Sequence, residues 1–146
     1  MIIQSGKYEG LATQELVLKQ PDWVQFFLRK NVSGKVAGEL ARHISDFDSK
    51  PIVEDCFKCD NTATRVSAYS GNALQPMFWC SSCDPYSLAA RKGKLSIMTK
   101  YSEALRFVDS TCDGRRSDKR ALIRRMAEAK GLPKRVGKAA AVAFLP

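Results

Sequence analysis

Apolar and polar positions change their period along the chain, and each stretch predicts a different element. Ile2-Ile3 reads as a short strand running into Gly6-Lys7-Tyr8-Glu9-Gly10, where two glycines four apart predict a tight turn. A helix is expected from about Thr13, with Leu16 and Val17 inward. Gln20-Pro21 breaks it, because the residue before a proline is pushed out of the α region. Pro21 suits the first turn of a second helix, and Asp22 is favourable near its N-terminus. Trp23, Val24, Phe26 and Phe27 form the apolar face of that helix, and Arg29 and Lys30 sit at its C-terminal end. Val36, Leu40, Ile44 and Phe47 recur at fours and threes, predicting a third helix over about 34–47 capped by Ser33. Trp23, Phe27, Leu40 and Ile44 are expected to pack this first unit. Further on, Thr99 is expected to cap a helix carrying Tyr101, Leu105 and Val108 on one face. A last long helix is expected from Ser117 to about Lys130, with Leu122, Met126 and Ala129 inward, stopped by Gly131 and Pro133. The small apolar run from Ala139 to Leu145 is expected to dock on the body or on a partner.

Between residues 51 and 98 the period drops to two. Ile52-Val53 reads as a strand. Arg65-Val66-Ser67-Ala68-Tyr69 alternates and is β-branched and aromatic, Ser70-Gly71-Asn72 carries turn signals, and Met77-Phe78-Trp79 returns. Pro76 is tolerable at the start of that second strand. A short helical turn is expected from Asp84 through Ala90, and Leu95-Ser96-Ile97 as a third strand. The expected fold class is α+β. Its parts are a helical N-terminal unit with a short strand at 1–50, a central β-hairpin unit at 51–98, and a basic helical segment at 99–146.

Four cysteines bracket the hairpin. Cys56 and Cys59 form one C-x-x-C pair, Cys80 and Cys83 another, with twenty residues between the pairs. A tight turn brings residues i and i+3 together, so each pair can hold two corners of one tetrahedral metal. Over residues 51–86 the chain resembles a four-cysteine zinc ribbon, which implies one Zn2+ on Cys56, Cys59, Cys80 and Cys83. Two disulfides, a thioredoxin-like dithiol and an iron–sulfur cluster are the alternatives. Four thiolates leave no open position for a water, which disfavours a catalytic zinc. Cys112 is left over and reads as a small apolar filler. His43, the single histidine, flanks a core stripe and reads as buried or at the boundary of the core.

Charge alters the functional picture. The formal net charge is +9, but residues 1–55 carry −1, residues 56–110 carry +3 and residues 111–146 carry +7. Four thiolates on one divalent ion would lower the total to about +7. Basicity gathered in one segment points to a polyanion, chiefly nucleic acid; a solvated basic helix is the plainer alternative. Arg116, Arg120 and Arg124 are spaced by fours, with Arg115, Lys119 and Arg125 alongside and Lys134 and Arg135 beyond. Arg91, Lys92 and Lys94 form a second basic loop beside the cysteines. All of these are candidate phosphate contacts, and Trp79, Phe78 or Tyr69 could stack bases or pack the small core of the hairpin. No apolar run approaches a membrane span, and the first residues lack the pattern of a secretion signal, so a cytoplasmic setting is expected.

Gly6-Lys7-Tyr8-x-Gly10, followed by Pro21-x-Trp23-Val24 and Phe27-Leu28, resembles the small C-terminal domain of exonuclease-X-like enzymes. That resemblance covers residues 1–30 and implies a nucleic-acid-processing context. An ordinary strand–helix–helix unit, its glycines serving turns, is the alternative reading. The leading functional expectation is a non-catalytic, zinc-containing, nucleic-acid-binding accessory protein of DNA or RNA metabolism. A protein-binding adaptor or inhibitor, gripping a protein partner with the ribbon and the apolar tail, and a small nuclease are the alternatives.

Overall fold

The computed structural model describes residues 1–31, 33–83, 85 and 94–146. The described residues form six helices and one antiparallel three-stranded sheet, an α+β fold with the sheet in the middle of the chain. The helices are α1 (Thr13–Lys19), α2 (Pro21–Lys30), α3 (Lys35–Ser49), α4 (Tyr101–Thr111), α5 (Arg116–Ala129) and α6 (Lys138–Phe144). The strands β1 (Arg65–Tyr69), β2 (Asn72–Trp79) and β3 (Leu95–Met98) lie in the order β2-β1-β3. The turn expected over 84–90 and the basic residues Arg91 and Lys92 lie outside the described residues, Pro85 apart. Among the described residues no helix is long and apolar enough to cross a membrane.

The 3.6-residue patterns mark the helices correctly, and the differences are at their ends. Gly34, not Ser33, is the N-cap of α3, and no side chain caps it. At α4 the N-cap is Lys100: Glu103 reaches back to accept from the Lys100 N–H at 3.1 Å and the Thr99 hydroxyl at 3.2 Å. That carboxylate takes over the satisfaction of free helix-start N–H groups expected of Thr99. Ile2-Ile3 forms a single bridge to Ala12 rather than a strand. Ile52-Val53 is not a strand either; Val53 N–H instead donates to Ala129 O at 2.8 Å, tying the approach to the hairpin onto the end of α5.

β2 is longer than its apolar run suggested. It begins at Asn72, and its register against β1 slips between Ser67↔Met77 and Tyr69↔Asn72. Pro76 falls in this irregular stretch of an edge strand, where its missing N–H breaks no regular ladder bond. The pleat then divides the sheet. Val66, Ala68, Phe78 and Met98 face the main core. Trp79, one residue from Phe78, points the other way, against Cys56 and Cys80.

One contiguous apolar core draws on all three stretches of sequence, from Leu16, Leu40 and Phe47 through Val66 and Phe78 to Leu122, Met126 and Leu145. α5 lies at its centre, against α1, α2, α4 and β2. The C-terminal run folds as α6 onto α1, burying Ala141, Phe144 and Leu145. Trp23 is only half-buried; its ring stacks on Phe27 at 4.9 Å and meets the Tyr8 ring edge-on at 5.3 Å. Its truncation therefore costs less than a fully enclosed tryptophan would. Tyr101 is the large aromatic that is enclosed, and its hydroxyl donates to Val17 O at 2.7 Å.

His43 is fully buried, with Nε2 3.0 Å from the Thr13 hydroxyl and Nδ1 without a partner among the described residues. Burial holds its pKa below the ordinary 6.5, Arg42 adds to the effect and Glu39 opposes it. Between the lowered native value and 6.5 the unfolded chain binds more protons than the native one, so stability falls as pH drops below 6.5. Melting curves at pH 7 and pH 5.5 are expected to show this loss, and His43→Gln to reduce it. Tyr101→Phe, which removes the hydroxyl donor to Val17 O, is expected to cost about 1 kcal/mol in chemical denaturation.

Candidate metal centre

The two C-x-x-C pairs sit where the hairpin begins and ends. The first lies within a short return in which Asp55 bridges Thr62 and Cys56 N–H donates to Asn61 O at 2.7 Å. The second follows directly on β2. Pairing of β1 with β2 sets Arg65 opposite Trp79, next to Cys80, and so brings the two ends of the hairpin together. Phe57 N–H donates to Phe78 O at 2.8 Å and Thr64 N–H to Trp79 O at 2.8 Å, stitching the first turn to β2.

The four sulfurs lie within 4.8 Å of one another, and Cys59 Sγ is 3.6 Å from Cys80 Sγ. Metal–sulfur bonds of about 2.3 Å place tetrahedral thiolates about 3.8 Å apart, so the cluster matches one four-coordinate ion. Cys56 and Cys80 are buried and Cys59 and Cys83 half-buried. The inner two rest on Trp79, whose indole N–H donates to Ser67 Oγ at 2.7 Å.

The electrostatics have the same pattern in each turn. Burial pushes the Cys56 thiol up, but N–H groups of Cys80, Lys58 and Cys59 and the Cys83 thiol outweigh it and bring it down to about 6. Burial likewise opposes ionisation of Cys80, and N–H groups of Ser82 and Cys83 help to hold its pKa low. The first cysteine of each pair thus receives N–H groups from the residues two and three further on. The second cysteines are raised: Cys83 to about 12, chiefly by the neighbouring Cys80 thiol and then by burial, and Cys59 against the lowering Asn61 N–H, by burial and then the Cys80 thiol. Four thiolates this close repel one another and need a shared cation to ionise together. Arg65, opposite Trp79, keeps a buried Nε without a hydrogen-bond partner among the described residues, a cation on the side of the sheet that carries the cysteines. The donor set fits a metal ion that takes sulfur ligands.

Among the described residues, most of the basic candidates meet carboxylates. Arg120 reaches Asp22 at 3.1 Å and Gln20 at 2.6 Å on α2. Arg116 meets Asp22 at 3.4 Å, Lys119 meets Asp109 at 2.7 Å, and Arg124 meets Glu128 at 3.2 Å. Arg115 pairs with Asp118 at 2.9 Å. Arg125 makes a two-pronged bridge to Glu54 at 2.6 and 2.7 Å, with its guanidinium 4.6 Å from the Phe78 ring. Arg115 and Arg116 remain largely exposed, as do Lys94, Lys134 and Arg135, whereas Lys119 is buried. Phe78 and Trp79 are buried, and Tyr69 is the exposed aromatic of the hairpin. Cys112 is buried in the main core, as its filler reading expects.

No protein-family model, curated protein or solved structure matches the chain. The resemblances of residues 51–86 and 1–30 therefore rest on the residues that carry them.

Metal and fold are coupled in sites of this kind. Cys59→Ser is expected to abolish stoichiometric metal binding and to lower the melting temperature together. Cys112→Ser is expected to leave metal content unchanged. Metal analysis of protein purified under reducing conditions, with parallel melting curves, reads both outcomes.

Proposed function

We propose that this chain is a zinc-containing, nucleic-acid-binding accessory protein of DNA or RNA metabolism, without a catalytic centre of its own. The observation that carries the metal part is the closed set of four sulfurs. Four thiolates suit zinc, and they complete its tetrahedron with no position left for a substrate or water. The zinc then serves to hold the two ends of a ribbon-like hairpin. Thiolate ligands of this kind suit a reducing, cytoplasmic setting.

The nucleic-acid part rests on cations that stay exposed to solvent, Arg115 and Arg116 among them although each also pairs with a carboxylate. Asp22, Asp109 and Glu54 each meet cations of α5, yet Arg115, Arg116, Lys134, Arg135 and Lys94 still present charge to solvent. These exposed residues are the proposed phosphate contacts. Lys119, Arg120 and Arg125 serve first to hold α5 in place. Guanidinium keeps its charge and matches phosphate oxygens in pairs, which suits Arg115 and Arg116 to that task.

A second reading, a protein-binding adaptor, is favoured by one feature. A cavity of ≈360 Å³ between α2, α3 and α4 is lined by Val24, Leu28, Ile44 and Leu105, with Arg29 and Arg106 at its rim. The apolar tail offered by the sequence for that role is occupied with α1.

Zinc-loaded protein is expected to carry one zinc per chain and to bind nucleic acid with strong salt dependence. Each duplex phosphate contact contributes about −0.9 to the slope of log K against log salt. The triple variant Arg116→Ala, Lys134→Ala, Arg135→Ala is expected to flatten that slope by up to roughly 2.7 units on duplex DNA. A screen of single- and double-stranded DNA and RNA at two salt concentrations tests this. No binding to any of them at low salt overturns the nucleic-acid reading and leaves the adaptor.

A further inference from the structure

The N-terminal turn and α2 build a second site, away from the cysteines in sequence. Lys7, Tyr8, Asp22, Trp23, Phe26 and Arg116 line a cleft of ≈260 Å³. We propose that this cleft binds single-stranded nucleic acid, seating one unstacked base on Phe26 and taking flanking phosphates on Lys7 and Arg116. The inference rests on the nucleic-acid reading above and assigns it a place.

The aromatic wall is built before any ligand arrives. Trp23 is clamped between Phe27, stacked at 4.9 Å, and Tyr8, edge-on at 5.3 Å. Phe26 is the ring left over. It is 55% exposed on a helix whose inward residues are Pro21 and Val24, and Lys30 Nζ sits 4.8 Å from its centroid. Lys30 covers part of the ring, and the exposed remainder offers a base a stacking surface beside a charge for its phosphate.

The turn that carries Lys7 is also fixed. Ile3 N–H donates to Leu11 O and Gly10 N–H to Ile3 O, both at 2.9 Å, and Glu9 N–H to Gly6 O at 3.2 Å. Gly6 and Gly10 hold φ of +88° and +86°, conformations that other residues adopt only with strain. Lys7 Nζ lies 5.4 Å from the Tyr8 centroid at the edge of the cleft. Asp22 is the one carboxylate in the lining, and Arg116 at 3.4 Å and Arg120 at 3.1 Å offset its charge. Arg116 gives Nε to that pair while its side chain is 67% exposed. A duplex hides base faces in its stack, so a cleft that joins a free ring to two cations suits a single strand.

The test uses the zinc-loaded full chain with fluorescein-labelled dT10, dU10, rU10 and an abasic decamer of equal phosphate count. Phe26→Ala is expected to weaken dT10 or rU10 at least about fivefold and to leave the abasic strand unchanged. Lys7→Ala is expected to weaken all the strands that bind and to flatten the salt slope by about 0.7. Comparison of rU10 with dU10, which differ only in the sugar, identifies the preferred sugar. Melting temperature and metal content, unchanged in both variants, show that the fold survives. Wild-type protein that binds these strands while both variants bind equally well overturns the cleft and leaves the nucleic-acid reading standing. An equal loss on the abasic strand in Phe26→Ala overturns base stacking. Wild-type protein that binds none of the strands or a duplex at low salt overturns the nucleic-acid reading and the cleft with it.

Discussion

The bridge between Arg125 and Glu54 ties the approach to the cysteine-bearing hairpin to the central helix α5. Glu54 stands two residues before the first metal-candidate cysteine, and Arg125 lies on the central helix α5. Their two-pronged contact holds Glu54 ionised below its usual range and raises Arg125 further, chiefly through the hydrogen bonds between them. Both side chains are about one-third exposed, so solvent screens part of the attraction and the value of the bridge lies in its geometry. The guanidinium also covers the Phe78 ring, and Val53 N–H closes on Ala129 O beside it. Charge, ring face and backbone therefore fix the hairpin to α5 on the face where Phe78 enters the main core.

What was legible in the sequence follows from the range of the interactions involved. Helices written in 3.6-residue stripes, such as Val36, Leu40, Ile44 and Phe47, announce themselves because every residue in the stripe answers to the same face. The cysteine spacing announces the candidate metal centre because one tight turn suffices to build each half of it. Ends were harder. Ser33 has the chemistry of a cap, yet Gly34 occupies the position, and Glu103 supplies at α4 what Thr99 was expected to supply. Ile52-Val53 has the composition of a strand, but its hydrogen bond goes to Ala129, a partner that no local window contains.

The arginines show the same limit more sharply. Spacing by fours on α5 is a true regularity, but it does not say what the face meets. Asp22 lies 98 residues from Arg120, and Glu54 lies 71 residues from Arg125. A basic stripe whose counter-charges come from distant elements is indistinguishable, in one dimension, from a basic stripe that faces solvent. Folding sorts the stripe: Lys119 is buried against Asp109 and Gln25, Arg120 is drawn onto α2, and Arg115 and Arg116 stay outside. The missed candidates, Lys7 and Phe26, carried no signal of charge density. Phe26 sat within an apolar run of α2, and only the packing of Trp23 and Phe27 shows that the ring has no place inside.

This sorting gives α5 two ends with different duties. Near its start Arg116 and Arg120 grip Asp22 of α2, beside the aromatic cleft. Nine residues on, Arg125 grips Glu54 at the approach to the cysteines. At 1.5 Å per residue Arg125 lies about 8 Å from Arg120 and about 14 Å from Arg116 along the helix. The small outer cluster of Trp79, Cys56 and Cys80 is held by the Trp79 indole on Ser67 and by the Cys56 N–H on Asn61 O. The inner face of the sheet belongs to the main core and keeps Phe78 against α5. The approach to the cysteines thus meets α5 at Arg125, and α2 meets it at Arg116 and Arg120, so one helix joins the candidate metal centre to the aromatic cleft while each keeps its own ion pair.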